Sequence, residues 1–292
     1  MRIQTFSIVA GSAACNARCP FCVSRMTPPQ GMTTKLPEPD WRNFAKACRL
    51  AQNAGVTTVL ITGKGEPTLF VDQVTAYLAA LAPYRFPFVE LQTNGIPIAD
   101  GKIDDNTLGD WYRLGLSTII ISVTGIDPQL NREVYLPYRE AYIDLPALIK
   151  RLHAARFSVR LGCVGVVEGV STPARLEELL LFAREHKVEQ LTVRPVTTPD
   201  PGTVVEREVF EWARDHAIPE HAWKTMVAWV EANGSRLLQL AHGAVVYDVA
   251  GQNICLSNCL TIRPGEEELR QLIFFPDGHL RYDWQYAGAI LL

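Results

Sequence analysis

Short runs of hydrophobic residues alternate with longer amphipathic stretches over the first two thirds of the chain. Six of these runs have the length of a strand, are rich in Val, Ile, Leu and Thr, and carry little charge, as strands buried on both faces do. The predicted strands span residues 3–9, 56–62, 88–92, 118–123, 158–166 and 190–196. The alternation predicts βα units and a parallel sheet.

The amphipathic stretches predict helices, most clearly over residues 41–54, 71–81, 145–155 and 173–186. Asp40 and Thr172 stand where N-caps belong, and Pro173 follows Thr172 at the first helical position. Six βα units are fewer than the eight that close a TIM barrel. The predicted fold class is therefore α/β, a partial (β/α)6 TIM-like barrel with an open side.

The sequence changes character at residues 197–202, which read TTPDPG, a turn-rich break. We predict that the barrel occupies residues 1–196 and that residues 197–292 form a small C-terminal α+β extension that covers it. Two helical stretches are expected there, over residues 204–216 and 222–233, followed by short strands. Asp277 and Gly278 predict a hairpin turn within residues 274–282.

Composition and charge narrow the class of protein. The chain is 48% hydrophobic and 20% charged, which is typical of a globular protein. No apolar run reaches the roughly 18 residues of a membrane-spanning helix, and the first residues lack the long apolar region of an export signal. With a net charge of -3 the chain has no global basic field, so nucleic acid is an unlikely partner and a cytoplasmic location is expected.

Three of the seven cysteines stand in the segment CNARCPFC, directly after the first predicted strand, as Cys15, Cys19 and Cys22. Without an export signal, such clustering indicates metal binding rather than a disulfide framework. A [4Fe-4S] cluster normally has four cysteine ligands, so three thiolates would leave one iron open to an exogenous ligand. A zinc site is the alternative, although zinc loops favour paired CxxC arms and no second pair with that spacing follows.

The segment CNARCPFC resembles the signature of the radical S-adenosylmethionine (SAM) superfamily, in which an aromatic residue, here Phe21, precedes the third cysteine. After the second predicted strand, TGKGEPTL resembles the glycine-rich GGEP-like motif of that family, with Lys64 interrupting the double glycine. The resemblance implies that the backbone of this motif and the Glu66 side chain hold the amino group of the SAM methionine. The matching residues are Gly63, Gly65, Glu66 and Pro67.

Two polar residues follow the next two predicted strands. Asn94 in LQTNG is expected at the barrel mouth, and Ser122 in ISVTG stands where members of the family often contact the ribose of SAM. Ordinary turn chemistry is the alternative for both residues.

The fifth and sixth predicted strands add looser similarities. VRLGCVGVVEG resembles the family motif GxIxGxxE with its second glycine out of register, which implies Val164 and Val166 as adenine contacts and Glu168 as a weaker match. Arg194 in TVRPV is a candidate for bidentate pairing with the SAM carboxylate, with a surface ion pair as the alternative. Every one of these positions lies at the carboxyl end of a predicted strand, where barrel enzymes build their sites.

The resemblance implies an enzyme that cleaves SAM reductively at a [4Fe-4S] cluster to a 5'-deoxyadenosyl radical, which then abstracts hydrogen from a substrate. A reductant of flavodoxin or ferredoxin type would be its protein partner. We expect the substrate to be a small metabolite in a biosynthetic pathway, because the barrel begins at residue 3, with no peptide-recognition segment ahead of it. A maturase acting on a peptide or protein, and a non-catalytic iron-sulfur or SAM-binding protein, are the alternatives.

A second cysteine pair, Cys255 and Cys259, stands in the C-terminal third. It is similar to the region of radical SAM proteins that carries an auxiliary iron-sulfur cluster. No cysteine follows Cys259, so a second cluster would need Cys163, Asp283, His279 or a substrate atom as a further ligand. A relic of such a domain with reduced thiols is the favoured interpretation, and a second cluster is the alternative.

Overall fold

The structure, a computed structural model, describes residues 2–29, 32, 36–199, 201–240, 243–257, 268–284, 286 and 288–292. Its strands are β1 Arg2–Val9, β2 Thr58–Thr62, β3 Phe88–Thr93, β4 Thr118–Val123, β5 Ser158–Gly165, β6 Gln190–Pro195, β7 Ser235–Gln239, β8 Val245–Val249, β9 Gln252–Leu256, β10 Glu268–Phe274 and β11 Leu280–Arg281. Its α-helices are α1 Val23–Met26, α2 Trp41–Asn53, α3 Val71–Leu81, α4 Ile96–Ala99, α5 Asp105–Arg113, α6 Pro128–Tyr135, α7 Leu145–Ala154, α8 Pro173–Glu185, α9 Arg207–Asp215 and α10 Glu220–Asn233.

The first six strands pair in sequence order and in parallel, as the hydrophobic runs predict. The mixed α/β fold class, with a parallel sheet and helices, is confirmed. The helices at 41–54, 71–81, 145–155 and 173–186 are present to within one residue at each end. Asp40 and Thr172 are N-caps, because their side chains accept hydrogen bonds from the amides of Asn43 and Arg175.

Strands from the C-terminal part extend this sheet at both edges. β9 lies parallel to β6, β10 lies parallel to β1, and the complete order is β11-β10-β1-β2-β3-β4-β5-β6-β9-β8-β7. Eight parallel strands therefore stand side by side, two more than the sequence predicts. The hairpin at Asp277 and Gly278 is confirmed, since β10 and β11 pair antiparallel around it. The domain division at residue 196 stays a prediction.

The sheet has one face packed against helices and one face that is partly open. In β5 the side chains of Val159, Leu161 and Cys163 are buried, whereas the residues between them are only partly buried. Because side chains alternate along a strand, the partly buried positions share the opposite face. We call that face, which carries Ser122, Gly162, Val164 and Arg194 among others, the inner face.

None of the helices in the described part of the chain combines the length and apolar character needed to cross a bilayer. The core between helices and sheet is built around large aromatic side chains, and Trp111, Tyr77 and Phe44 are almost fully inaccessible there. A smaller cluster of Val9, Ile273 and Phe275 joins β1 to β10.

Candidate functional site

Cys15, Cys19 and Cys22 lie on the segment that links β1 to α1, which we call the cysteine loop (residues 11–22). Cys22 is the residue before α1, and its amide donates to the carbonyl of Cys19 over 3.3 Å. Cys15 is exposed, while Cys19 and Cys22 are partly buried. The loop thus holds three free thiols at the carboxyl end of the first parallel strand.

The thiols interact electrostatically with one another. Burial raises the pKa of Cys19, and the neighbouring Cys22 and Cys15 raise it further. Burial likewise raises the pKa of Cys15, with smaller contributions in the same direction from Glu66 and Cys22. Three thiolates together are therefore unfavourable unless a cation accompanies them, because a thiolate is the form that binds metal.

The donor set of the loop fits an iron-sulfur cluster. Within the described ranges, no three His, Cys, Asp or Glu side chains converge closely enough to hold one metal ion. In a cubane each cysteine binds a different iron, so its ligands need not converge on one point. The three thiols are the residues that would hold such a cluster.

The segment after β2 presses directly on the cysteine loop. The amide of Glu66 donates to the carbonyl oxygen of Ala14 over 3.0 Å, one residue before Cys15. A Cβ atom on Gly65 would overlap that same oxygen and would lie 2.7 Å from the carbonyl oxygen of Ser12. Only glycine therefore allows the two segments to approach this closely at position 65.

The Glu66 carboxylate is 3% exposed and is held inside the protein rather than at its surface. Its Oε1 accepts hydrogen bonds from the Thr68 amide, the Thr68 hydroxyl and the Thr93 hydroxyl, over 2.9, 2.6 and 2.6 Å. Its Oε2 accepts from the Asn94 amide over 2.8 Å. Burial raises the pKa of Glu66 and these hydrogen bonds lower it, with burial the larger effect. The side chain joins the ends of β2 and β3, and its direct contact with SAM stays a prediction.

Asn94 connects the end of β3 to the cysteine loop. Its Nδ2 donates to Asn16 Oδ1 over 2.8 Å and lies 4.0 Å from the Cys15 sulfur. Its Oδ1 accepts from the Ile96 amide over 3.0 Å, which fixes the side chain. Asn94 is therefore brought together with Glu66 and Cys15, beside the predicted metal ligands.

Lys64, the residue that interrupts the glycine motif, is 7% exposed. Its ammonium group donates to the Thr27 hydroxyl and to the Pro28 carbonyl, both over 3.0 Å. Burial lowers the pKa of Lys64 to about 8, and the Cys22 thiol opposes that shift. The side chain ties the segment after β2 to the residues that follow the cysteine loop.

The candidates from β4, β5 and β6 fall into two groups. Ser122, Val164 and Arg194 are partly buried on the inner face, and Val164 and Arg194 are register partners. Val166, by contrast, is fully buried, and Glu168 is exposed and lies 3.5 Å from the His216 ring nitrogen. The first group faces the open side of the sheet, whereas Val166 belongs to the core and Glu168 to the surface.

Phe21 is buried and forms the centre of an aromatic group. Its ring meets Tyr135 of α6 edge-on at 6.2 Å and lies 5.8 Å from the ring of Trp212 in α9. Trp212 in turn stacks on His216 with the ring centroids 3.8 Å apart. The aromatic residue of the cysteine motif is thus held between a barrel helix and a helix of the C-terminal part.

The helix α9 is anchored to the end of the cysteine loop by polar contacts as well. Arg25 of α1 pairs with Glu206 through Nε and Nη2, over 2.9 and 2.6 Å. The Val205 amide donates to the Met26 carbonyl over 3.2 Å. Sequence reasoning missed Tyr135, Trp212 and His216, because no local motif marks residues that reach the loop only through tertiary packing.

Cys255 of β9 pairs in register with Thr192 of β6 and is buried. Cys259 lies outside the described residues. Cys163 is buried on the helix-packed face of β5, where burial raises its pKa to about 12. The second-cluster alternative therefore stays untested.

Comparisons with known proteins point to one family. The family model described as "Radical SAM superfamily" matches residues 11–179, more than half of the chain. GTP 3',8-cyclase from Actinobacillus succinogenes is 34% identical over 122 residues, which are 41% of this chain and 33% of the relative. GTP 3',8-cyclase from a Synechococcus strain is also 34% identical over 122 residues, 40% of this chain and 31% of the relative. The chain spans about a third of the length of these relatives.

Solved structures show the same fold at low sequence identity. SuiB of Streptococcus suis, bound to S-adenosylmethionine, aligns with 96% of this chain and 60% of its own, with a TM-score of 0.60 and 16% identity. The enzyme anSMEcpe with bound AdoMet covers 100% of this chain and 74% of its own, with a TM-score of 0.60 and 12% identity. Methylornithine synthase (PylB) covers 79% and 63%, with a TM-score of 0.52 and 13% identity.

Proposed function

The chain belongs to the radical SAM superfamily, and we propose that its cysteine loop holds the [4Fe-4S] cluster at which this family binds and cleaves SAM. Membership makes it an enzyme and implies both the cluster and SAM. Cys15, Cys19 and Cys22 would ligate three irons and leave the fourth to SAM. When bound and reduced, the cluster supplies the electron that cleaves SAM to methionine and a 5'-deoxyadenosyl radical.

One observation carries this proposal: three parallel-strand ends meet at the cysteine loop. Gly65 and Glu66 bring the segment after β2 against Ala14, and Asn94 brings the end of β3 against Asn16. The amides and carbonyls of these segments form a rigid polar wall beside the thiols, because the Glu66 carboxylate holds both together. Such a wall is suited to the amino group of the SAM methionine, as the family motif implies.

The remaining contacts to SAM are proposed for the inner face. Arg194 has no hydrogen-bond or ion-pair partner among the residues that the structure describes, and it stands at the carboxyl end of β6. An unpaired guanidinium in a partly buried position suits a carboxylate ligand. Ser122 and Val164 lie on the same face, where they would meet the ribose and the adenine.

The substrate we favour is a small polar metabolite. Deeper on the inner face, Arg160 of β5 makes two hydrogen bonds to Glu90 of β3, over 3.0 and 2.6 Å, and one to Gln190 of β6, over 2.6 Å. A polar interior of this kind fits a polar ligand better than an apolar one. The curated relatives are named for a reaction of GTP, a small polar molecule, and this supports the same substrate class.

A peptide substrate is the second candidate, and one observation favours it. All five residues of β7 are exposed, and β7 is the last strand in the sheet order. An exposed edge strand can pair with an extended peptide through its backbone. Adding the small-molecule and the protein fraction of a cell extract separately to reduced enzyme with SAM discriminates the two. The fraction that accelerates 5'-deoxyadenosine formation contains the substrate.

Iron analysis after anaerobic purification tests the cluster assignment. Wild-type protein should hold about four irons per chain with the absorption of a [4Fe-4S] cluster, and the Cys15→Ala/Cys19→Ala/Cys22→Ala variant should lose them. Cys48→Ala is the matched control, since Cys48 is a buried thiol of α2 away from the loop. Full iron retention in the triple variant would refute the assignment.

A further inference from the structure

Two buried tyrosine hydroxyls beside the cysteine loop have no hydrogen-bond partner. Tyr135, the last residue of α6, is 2% exposed, and Tyr142 lies in the connection from α6 to α7. Their ring centroids are 6.2 Å apart. Neither hydroxyl meets a protein donor or acceptor within the described chain. Buried hydroxyls are normally paired, because each has given up its hydrogen bonds to water.

Contacts along the chain place this tyrosine pair behind Cys19. The Arg18 amide donates to the Tyr135 carbonyl over 3.0 Å, one residue before Cys19. The Tyr135 ring meets Phe21 edge-on, two residues after Cys19. Cys19 itself packs against the same core.

Electrostatics agree with this placement. After burial, the Cys19 thiol is the next cause that raises the pKa of both Tyr135 and Tyr142. Both phenols therefore stay protonated, and a protonated phenol is a hydrogen-bond donor. Asn16 Nδ2 is a further buried donor in the same loop without a hydrogen-bond partner among the described residues. Unpaired donors are thus concentrated around one end of the cysteine loop.

We propose that the hydroxyls of Tyr135 and Tyr142 donate hydrogen bonds to the sulfur atoms at the Cys19 corner of the bound cluster and so raise its reduction potential. This inference rests on the proposed function, because the acceptor is the cluster with its cysteine sulfurs. Hydrogen bonds to those sulfurs stabilise the reduced, more negative cluster, and they are a recognised means of setting its potential. The two tyrosines are positioning residues that also fix the orientation of the Cys19 ligand.

The chain contains a matched control for the two substitutions. Tyr77 of α3 is also fully buried, and its hydroxyl also has no partner in the described structure. Its ring packs against Trp41, Phe44 and Phe274 in the core, at 5.4, 5.2 and 6.5 Å. Tyr77→Phe therefore removes an equally buried hydroxyl without touching the residues around Cys19.

The experiment compares holoenzymes of wild type, Tyr135→Phe, Tyr142→Phe and Tyr77→Phe, prepared anaerobically. Iron content and the electron paramagnetic resonance (EPR) spectrum of the reduced cluster report whether each protein carries the cluster. A redox titration monitored by EPR then gives the midpoint potential. We expect unchanged iron content, a more negative potential in Tyr135→Phe and Tyr142→Phe, and the wild-type potential in Tyr77→Phe.

The outcomes separate this inference from the proposed function. Wild-type protein without a [4Fe-4S] signal would refute both. A normal cluster whose potential is the same in wild type and in both loop variants would refute the tyrosine inference alone, as would an equal shift in Tyr77→Phe. Should Tyr135→Phe fail to load a cluster, Tyr142→Phe decides the question, because Tyr142 lies outside the helix and makes no contact with Phe21 among the ring contacts of the described residues.

Discussion

Glu66 Oε2 accepts a hydrogen bond of 2.8 Å from the backbone amide of Asn94, so a carboxylate that follows β2 fixes the first residue after β3. With the three hydrogen bonds on Oε1, the carboxylate has a protein partner on each oxygen. We infer that Glu66 acts on SAM chiefly by holding the shape of the segments around it. The motif's acidic residue would then be a structural support for a backbone binding surface.

Glu66→Ala should weaken SAM binding and lower stability, because it leaves the amides of Thr68 and Asn94 without acceptors. A buried unsatisfied group costs about 1 to 3 kcal/mol, so a loss of about 3 kcal/mol in the free energy of unfolding is expected. Iron content should stay at the wild-type level. Calorimetry with SAM and urea unfolding measure both effects. Glu133→Ala, at an exposed site of α6, is the control, and equal behaviour of the two variants would exclude Glu66 from the site.

Gly65→Ala should separate the segment after β2 from the cysteine loop. The added methyl group overlaps the Ala14 carbonyl oxygen, so the hydrogen bond from the Glu66 amide must lengthen. We expect a lower melting temperature and at least a tenfold weaker affinity for SAM. Gly109→Ala is the matched control, because Gly109 lies within α5 and an added Cβ meets only the flexible Arg113 side chain at 3.5 Å. That control should be neutral or stabilising by about 0.5 to 1 kcal/mol. A Gly65→Ala protein with wild-type affinity would contradict the close approach.

The strands were predictable because each has the burial signature of a parallel sheet, and the four longest amphipathic helices were predictable from their caps and periodicity. The edge positions of β9 and β10 were not, since the choice of pairing partner depends on where the chain returns in space. Glu66 and Asn94 could be named from local motifs. Tyr135 and Trp212 could not, because they reach Phe21 from positions more than 100 residues away along the chain.

The ion pair between Asp100 and Arg139 should make stability depend on pH. The two hydrogen bonds, of 3.0 and 2.8 Å, hold the connection that carries Tyr135 and Tyr142 against the end of α4. Hydrogen bonding to Arg139 lowers the pKa of Asp100 below its ordinary value of 3.8. The stabilisation is therefore present above about pH 4 and is lost as the pH falls through the lower, folded-state pKa.

Asp100→Asn should accordingly cost up to about 1 kcal/mol at pH 7, the range of a partly exposed pair. The difference from wild type should shrink as the pH approaches 3. Urea unfolding at both pH values measures it. Glu140→Gln changes an exposed carboxylate of the same connection and should have no such effect. A difference between wild type and Asp100→Asn that grows toward low pH would reverse the sign of the argument.

The iron content of the triple cysteine variant also tests the C-terminal thiols. If Cys255 and Cys259 are relic thiols, that variant should be nearly free of iron, because no cysteine downstream completes a second ligand set. Two independent cubanes would leave it about half of roughly eight irons. Iron analysis with EPR decides, and a remaining reducible [4Fe-4S] signal would establish the auxiliary cluster.

The most direct test of the central claim is the formation of 5'-deoxyadenosine from SAM by dithionite-reduced, cluster-loaded enzyme. The account predicts 5'-deoxyadenosine and methionine in equal amounts from the wild type, and none above background from the Cys15→Ala/Cys19→Ala/Cys22→Ala variant. The Cys48→Ala control should match the wild type. A wild-type protein that carries its full cluster and binds SAM, yet releases no 5'-deoxyadenosine under reduction, would contradict the proposed function.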